Sequence, residues 1–226
     1  MNGFYKYWSR RETLGFLGGW LLAGCNQASS SPAPSAPSET TPLANRIQSA
    51  AGSELPEGIA SIFQETSDPD AVLTALMPAV VDALQCDRCF IFIRDPQRQR
   101  TRITHGYSRE TRWSTMVQTG WSLESPNLNS KDPLTLSAYQ SPEAKFIDDI
   151  ETAPPGSLDI QLERSVFGHR ALVHAPIYND AEFYGILEPC VFDIPRRWAE
   201  SDRELIQNLQ LVLGSWIVRY LQDFIW

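Results

Sequence analysis

The feature that most constrains the fold is a pair of apolar runs, RALVHAPIY at 170–178 and EFYGILEPCVF at 182–192, separated only by Asn179, Asp180 and Ala181. Each run sends side chains alternately to two faces, and a short Asn-Asp connection suits a tight reversal, so the two form an antiparallel β-hairpin. In the first run Ala171, Val173, Ala175 and Ile177 share one face, while Leu172, His174 and Pro176 share the other. The small apolar face is the better one to pack on helices, which turns His174 to the opposite side. Behind the hairpin, Leu205, Ile206, Leu209, Val212, Leu213, Trp216, Ile217, Tyr220 and Leu221 recur at helical spacing and predict a long terminal helix. Ser201-Asp202-Arg203-Glu204 has the form of a capping box at its start. The final Phe224-Ile225-Trp226 is too apolar for a free tail and suits packing on a partner helix or on its own domain.

Upstream, Asp68-Pro69 is an N-cap with proline at the first helical position, followed by Val72, Leu73, Leu76, Met77, Val80, Val81 and Leu84 on one face of a helix that Pro78 is expected to kink. A shorter helical pattern at 58–65 precedes it. Phe90-Ile91-Phe92-Ile93, bounded by Asp87 and by Asp95-Pro96, predicts a strand buried on both faces, with 101–106 as its return strand. The polar middle predicts a weak helix at 109–117, a second helix at 134–140 and a strand at 144–150. Runs of strands flanked by helices imply an α+β sheet with its helices on one side.

Of 226 residues, 42% are apolar and 20% charged, the profile of one globular domain with an appendage. A net charge of −8 disfavours nucleic acid as a partner, because phosphate binding needs a basic stripe and the cations here are scattered, so none is expected. The appendage is N-terminal. Lys6, Arg10 and Arg11 precede TLGFLGGWLLAG at 13–24, a run too short to span a bilayer, so residues 1–24 are expected to be a signal peptide. Leu22-Ala23-Gly24-Cys25 resembles the lipobox of bacterial lipoproteins, which implies acylation (palmitate) of Cys25. Ser9-Arg10-Arg11 resembles a twin-arginine export signal, although Thr13 departs from that pattern and leaves the route open. Residues 25–56, rich in Ser, Pro and Ala, are expected to be a disordered tether between this anchor and a domain at 57–226. The expected location is therefore the periplasmic or outer face of a membrane, held by lipid.

DRCFIFIRD at 87–95, FIDDI at 146–150, FGHRALVHAPIYNDAEFYGIL at 167–187 and PRRW at 195–198, in this order, resemble the GAF domain, and in particular the GAF domains of cyanobacteria. The resemblance covers about 57–226. It implies a GAF-like (profilin-like) central antiparallel sheet with the N- and C-terminal helices on one face and a ligand pocket on the other. It also implies small-molecule binding, and pairing through the terminal helices as a homodimer or with a partner protein. Residues 107–167 contain no cysteine or histidine, so a covalently attached bilin is not expected. The Asn-Lys-Phe and Asp-Glu signature of cyclic-nucleotide-binding members and the cysteines of the methionine-sulfoxide-reducing branch are also missing. The implied function is a sensory domain without catalytic activity. With no output domain after residue 226, signalling is expected to pass by association with another chain.

The pocket candidates are His174 and Arg170 on one strand face, Glu188 near them, and Trp121 and Tyr184 as aromatic walls. Cys86 and Cys89 form a C-x-x-C at the junction of helix and strand. In the family's sheet the first and last strands lie antiparallel side by side, which would bring Cys190 toward them. Three readings stay open for these thiols: buried filler, a disulfide or redox pair, or a zinc site completed by His105, His169 or His174. They define two alternatives, a thiol-dependent redox or metal-binding protein and a purely structural dimerisation module. Neither a nucleophile–base pair nor a glycine-rich phosphate loop is visible.

Overall fold

The computed structural model describes residues 55–124 and 132–223. The signal segment at 1–24, Cys25, the tether as far as residue 54, and Phe224-Ile225-Trp226 lie outside the described residues. The elements run α1 (Glu57–Glu65), α2 (Pro69–Leu84), β1 (Arg88–Asp95), β2 (Arg100–Ser108), β3 (Ser122–Leu123), α3 (Pro133–Gln140) and β4 (Lys145–Ile147). Then come a helical turn α4 (Ile160–Leu162), which widens into a π-helical turn (Glu163–Phe167), β5 (Ala171–Asn179), β6 (Glu182–Val191) and α5 (Glu200–Asp223). The strands pair antiparallel in the order β3-β2-β1-β6-β5-β4.

The predicted hairpin is β5–β6, reversed at Asp180, whose φ of 55° an aspartate tolerates. Ala171, Val173, Ala175 and Ile177 join Cys89, Ile91, Ile93 and Leu187 in one buried cluster with the apolar faces of α1, α2 and α5. Each large apolar side chain buried there contributes about 1.5–3 kcal/mol, so this layer carries the fold. The opposite face is built differently. Leu172, Cys190 and Phe192 pack with Leu134 and Ile150, and Phe183 and Ile186 pack with Ala138.

Asp68 caps α2 by accepting the Asp70 N–H at 3.0 Å, and α2 continues as helix through Pro78. Two local expectations are corrected. Residues 109–117 form turns instead of a helix, because their side chains are spent on tertiary anchors: Arg109 donates to the Cys86 and Val81 carbonyls, and Trp113 stacks on Phe192 at 4.4 Å. The cap of α5 is also shifted. The helix begins at Glu200, so Ser201 is already inside it, and Asp202 reaches back to accept the Ala199 N–H at 3.0 Å. No described helix is long and apolar enough to cross a membrane.

Candidate functional site

The face of the sheet away from α1, α2 and α5 holds a buried polar cluster. β5 and β6 pair Leu172 with Cys190 and Ala175 with Leu187, a register that sets His174 across from Glu188. His174 Nδ1 lies 3.0 Å from Glu188 Oε2. His169, just ahead of β5, brings Nε2 to 2.5 Å from Oε2 of Glu163 in the π-helical turn, and its Nδ1 stands 4.0 Å from Glu188 Oε1. Arg88, at the start of β1, completes the group. Its Nη1 donates to the Ser114 carbonyl at 3.1 Å, and its Nη2 donates to the Phe167 carbonyl at 3.2 Å and lies 3.4 Å from His169 Nδ1. Arg88 is 1% exposed, and the other four members are between 2% and 5% exposed.

Burial of this many charges leaves pairings incomplete. Among the described residues four buried side-chain polar atoms lack a hydrogen-bond partner, and three of them, Arg88 Nε, His174 Nε2 and Glu188 Oε1, belong to this cluster. Such atoms carry a desolvation penalty of about 1–3 kcal/mol each and call for a functional account. The electrostatics separate the two histidines. Burial pulls His169 down to about 4, helped by the Arg88 charge and opposed by Glu188. Burial also opposes charging of His174, but the hydrogen bond and charge of Glu188, with Asp132 and Glu163 beyond, hold it above the ordinary histidine value. Burial, reinforced by Glu188 and Asp132, pushes Glu163 well above the usual carboxylate range. Opposed shifts in neighbouring groups mark sites where proton position matters.

The sequence candidates distribute unevenly over this site. His174 and Glu188 meet as a pair. Arg170 does not join them: its guanidinium grips Asp149 through two bonds of 2.6 and 2.9 Å at the protein surface. Trp121 lies under Arg100 at 4.4 Å and packs on the helix-side cluster. Tyr184 also packs on the helix side, because the register slips between Ile177 and Tyr178 and the alternation of β6 reverses there. At that slip Gly185 runs so close to β1 that a Cβ would stand 2.2 Å from the Phe92 carbonyl oxygen. His105 belongs elsewhere, bonded to Asp70 at 3.1 Å and Thr104 at 2.9 Å. Arg88, Glu163 and His169 were not singled out as pocket residues. The one signal for Arg88 is a cation heading the apolar run at 89–93. A separate cleft of about 540 Å³ runs along α5 beside Pro142, Pro176, Gln207, Gln210 and Leu211, and contains none of the pocket, thiol or metal candidates read from the sequence.

β1 and β6 are neighbours as the resemblance implied, yet the thiols are divided. Cys89 pairs with Pro189 and Arg88 with Cys190, so Cys89 and Cys190 face opposite sides of the sheet. Cys86 and Cys89 lie in the helix-side core and Cys190 in the other, and all three are free. Of the three open readings, the disulfide is therefore not formed in this structure. Burial pushes Cys190 up to about 12 against the pull of Arg88, and also raises Cys86 and Cys89 well above the ordinary thiol range, which opposes thiolate chemistry. Among the described residues no group of three or more His, Cys, Asp or Glu side chains is arranged to hold a metal ion.

Comparison with known proteins agrees with this architecture. The family model described as GAF domain matches residues 68–214. No curated protein matches the chain. Among solved structures, the GAF domain of an Acinetobacter phosphoenolpyruvate-protein phosphotransferase is similar at a TM-score of 0.53 and 14% identity, over 82% of this chain and 98% of that one. The phycocyanobilin-bound GAF domain of a cyanobacterial phytochrome is similar at 0.54 and 16%, over 82% and 100%. A far-red-absorbing dark state with bound biliverdin is similar at 0.55 and 18%, over 74% and 98%. The family match spans most of the chain, and the sheet order and helix placement fit it: the chain belongs to the GAF domain family.

Proposed function

We propose that this chain is a sensory GAF domain without catalytic activity, which binds a small molecule on the sheet face that carries His174 and Glu188. The observation that supports this most is the concentration of unpartnered buried polar atoms there. His174 Nε2 and Glu188 Oε1 lie on one Glu–His pair: the carboxylate oxygen wants a donor, and Nε2 wants an acceptor when the ring is charged and a donor when Nδ1 carries its only proton. A ligand presenting both would complete them, noncovalently, since residues 107–167 offer no cysteine for attachment. Two of the similar structures hold phycocyanobilin and biliverdin, which makes extended heterocycles reasonable first probes. The same reading has Cys25 as a lipid anchor, holding the domain at a membrane on the exported side, and has the bound state reported by association through the terminal helices.

Native mass spectrometry of the full chain purified from its own host tests the binding reading. Wild type should carry an adduct that dissociates on denaturation, and His174→Phe should lose it. A bare polypeptide mass for the folded wild type refutes the proposal.

A further inference from the structure

We propose that Glu163, His169 and Glu188 form a buried proton relay. In it the imidazole of His169 exchanges tautomers between Arg88 and Glu188, so that the proton content of the cluster sets the hydrogen-bond pattern at His174. The inference deepens the small-molecule reading and rests on it only for what the relay would regulate.

The geometry limits the tautomers. A guanidinium has donors alone, so the approach of Arg88 Nη2 to His169 Nδ1 at 3.4 Å requires a lone pair on that nitrogen. The ring proton is then on Nε2, facing the Glu163 carboxylate at 2.5 Å, and Glu188 Oε1 is left without a donor. The alternative state uses the same atoms. A proton added at His169 Nδ1 is balanced by loss of the Nε2 proton to Glu163 Oε2: the Nε2–H bond breaks, the O–H bond forms, and the ring stays neutral while Glu163 becomes a carboxylic acid. The new Nδ1–H no longer accepts from Arg88 and has one acceptor within reach, Glu188 Oε1 at 4.0 Å. Closing that gap to hydrogen-bond length takes a ring movement of about 1 Å. The unpartnered oxygen of the present arrangement thus becomes the partner of the other.

The surroundings favour putting the added proton on Glu163 and not on the ring. Burial acts first against a charge on His169, with Arg88 and His174 adding to it against the opposing pull of Glu188, while burial, then Glu188 and Asp132, act against a charge on Glu163, which His174 partly offsets. Asp159 adds to the second effect. Lys145, paired with His174 across β4 and β5, turns its amine to Glu143 at 2.8 Å. A change at Glu188 reaches the ligand face directly, because Glu188 Oε2 holds His174 Nδ1 and so governs whether His174 Nε2 donates or accepts. Ligand groups of opposite polarity would then select opposite proton states.

Nitrogen NMR of the imidazoles in the ligand-free full chain, labelled with ¹⁵N-histidine and followed from about pH 5 to 9, tests the relay, since buried carboxyls titrate as high as about 8–9. His169 should exchange an Nε2–H pattern at high pH for an Nδ1–H pattern at low pH without passing through an imidazolium. The His174 signals should move in the same step. In Glu163→Gln, whose amide can neither take up nor release the proton, the His169 tautomer should no longer change with pH. A single unchanging tautomer in wild type, or ordinary imidazolium formation, overturns the proposal, and wild type alone decides it if the variant does not fold. Ligand binding plays no part in this measurement, so its result is independent of the mass-spectrometric one.

Discussion

Gly214→Ala separates packing from helix propensity with unusual clarity. Gly214 lies in the middle of α5 where the helix crosses the end of β5, and a Cβ there would stand 2.0 Å from the Tyr178 carbonyl oxygen, 2.9 Å from its carbon and 3.3 Å from Asn179 Cα. All three are backbone atoms, so no rotamer change relieves the contact. Ordinary contact begins at 3.4 Å, which means the helix must lift from the strand locally by more than 1 Å. Propensity alone favours alanine by about 1 kcal/mol. Overpacking costs about 1–3 kcal/mol where side chains can yield, and backbone obstruction sits at or above the top of that range. The lift also loosens Leu213 and Ile217, both fully buried beside the glycine. The net expectation is a loss of about 2 kcal/mol, or a urea midpoint lower by about 1 M for a slope near 2 kcal/mol/M. Urea unfolding followed by tryptophan fluorescence reads this directly. A variant as stable as wild type, or more so, would show that α5 does not rest on β5 at the distance given.

In native protein, iodoacetamide at pH 8 should leave Cys86, Cys89 and Cys190 unlabelled and should alkylate all three in guanidinium, because burial holds them as thiols; rapid labelling of any one in the folded state contradicts the assignment. The folded value of His169, lowered from 6.5 to about 4, sets a pH dependence: protonation favours the unfolded chain, so its penalty starts below about 6.5 and is complete below about 4, worth about 3 kcal/mol. Glu163 and His174, both raised, act with the opposite sign, so the readout is a comparison: His169→Gln should gain on wild type as pH falls from 7 to 4, and parallel pH–stability curves refute the shift. Arg170→Gln breaks a half-exposed ion pair with Asp149 and should cost under about 1 kcal/mol while leaving any native adduct in place; loss of the adduct would return Arg170 to the site.

The layered frame was legible because it is written in local periodicity. The alternation of 171–177 identified the helix face of β5, and the 3.6-residue spacing behind Asp68 and toward Leu221 identified α2 and α5. What failed depends on relations that no local pattern carries. Tyr184 lies on the helix side only because of the slip beside Gly185, since one extra residue reverses every later side chain. The turn at 109–117 has helix-forming residues, but its arginine and tryptophan gain more from anchoring to Cys86 and Phe192. Arg88 lies far along the chain from Glu163 and His169, and only the register that pairs Arg88 with Cys190 and the curl of the π-helical turn bring them together. Two of its five members, His174 and Glu188, were singled out from their place on the strands. The other three required the tertiary structure.

The two faces of the sheet stand in a thermodynamic relation that a last substitution can expose. The helix side is apolar and close-packed, while the other side holds Arg88, His174 and Glu188 with atoms that nothing satisfies. Each such atom offsets the burial of roughly one large apolar side chain, so the helix layer stabilises a fold that carries a strained polar face. If that face exists to meet a ligand, stability is being given up there for function. Exchanging both members of the pair at once, His174→Leu with Glu188→Met, removes the desolvation penalty together with the attraction. Replacing a buried ion pair by apolar groups of similar volume is neutral or stabilising by about 1–4 kcal/mol. The double variant should therefore unfold at equal or higher urea than ligand-free wild type, while Glu188→Met alone, which strands a buried histidine, should be clearly less stable. If the double variant is instead the least stable of the three, the pair is a structural clamp between β5 and β6, and the case for a ligand at His174 loses its energetic basis.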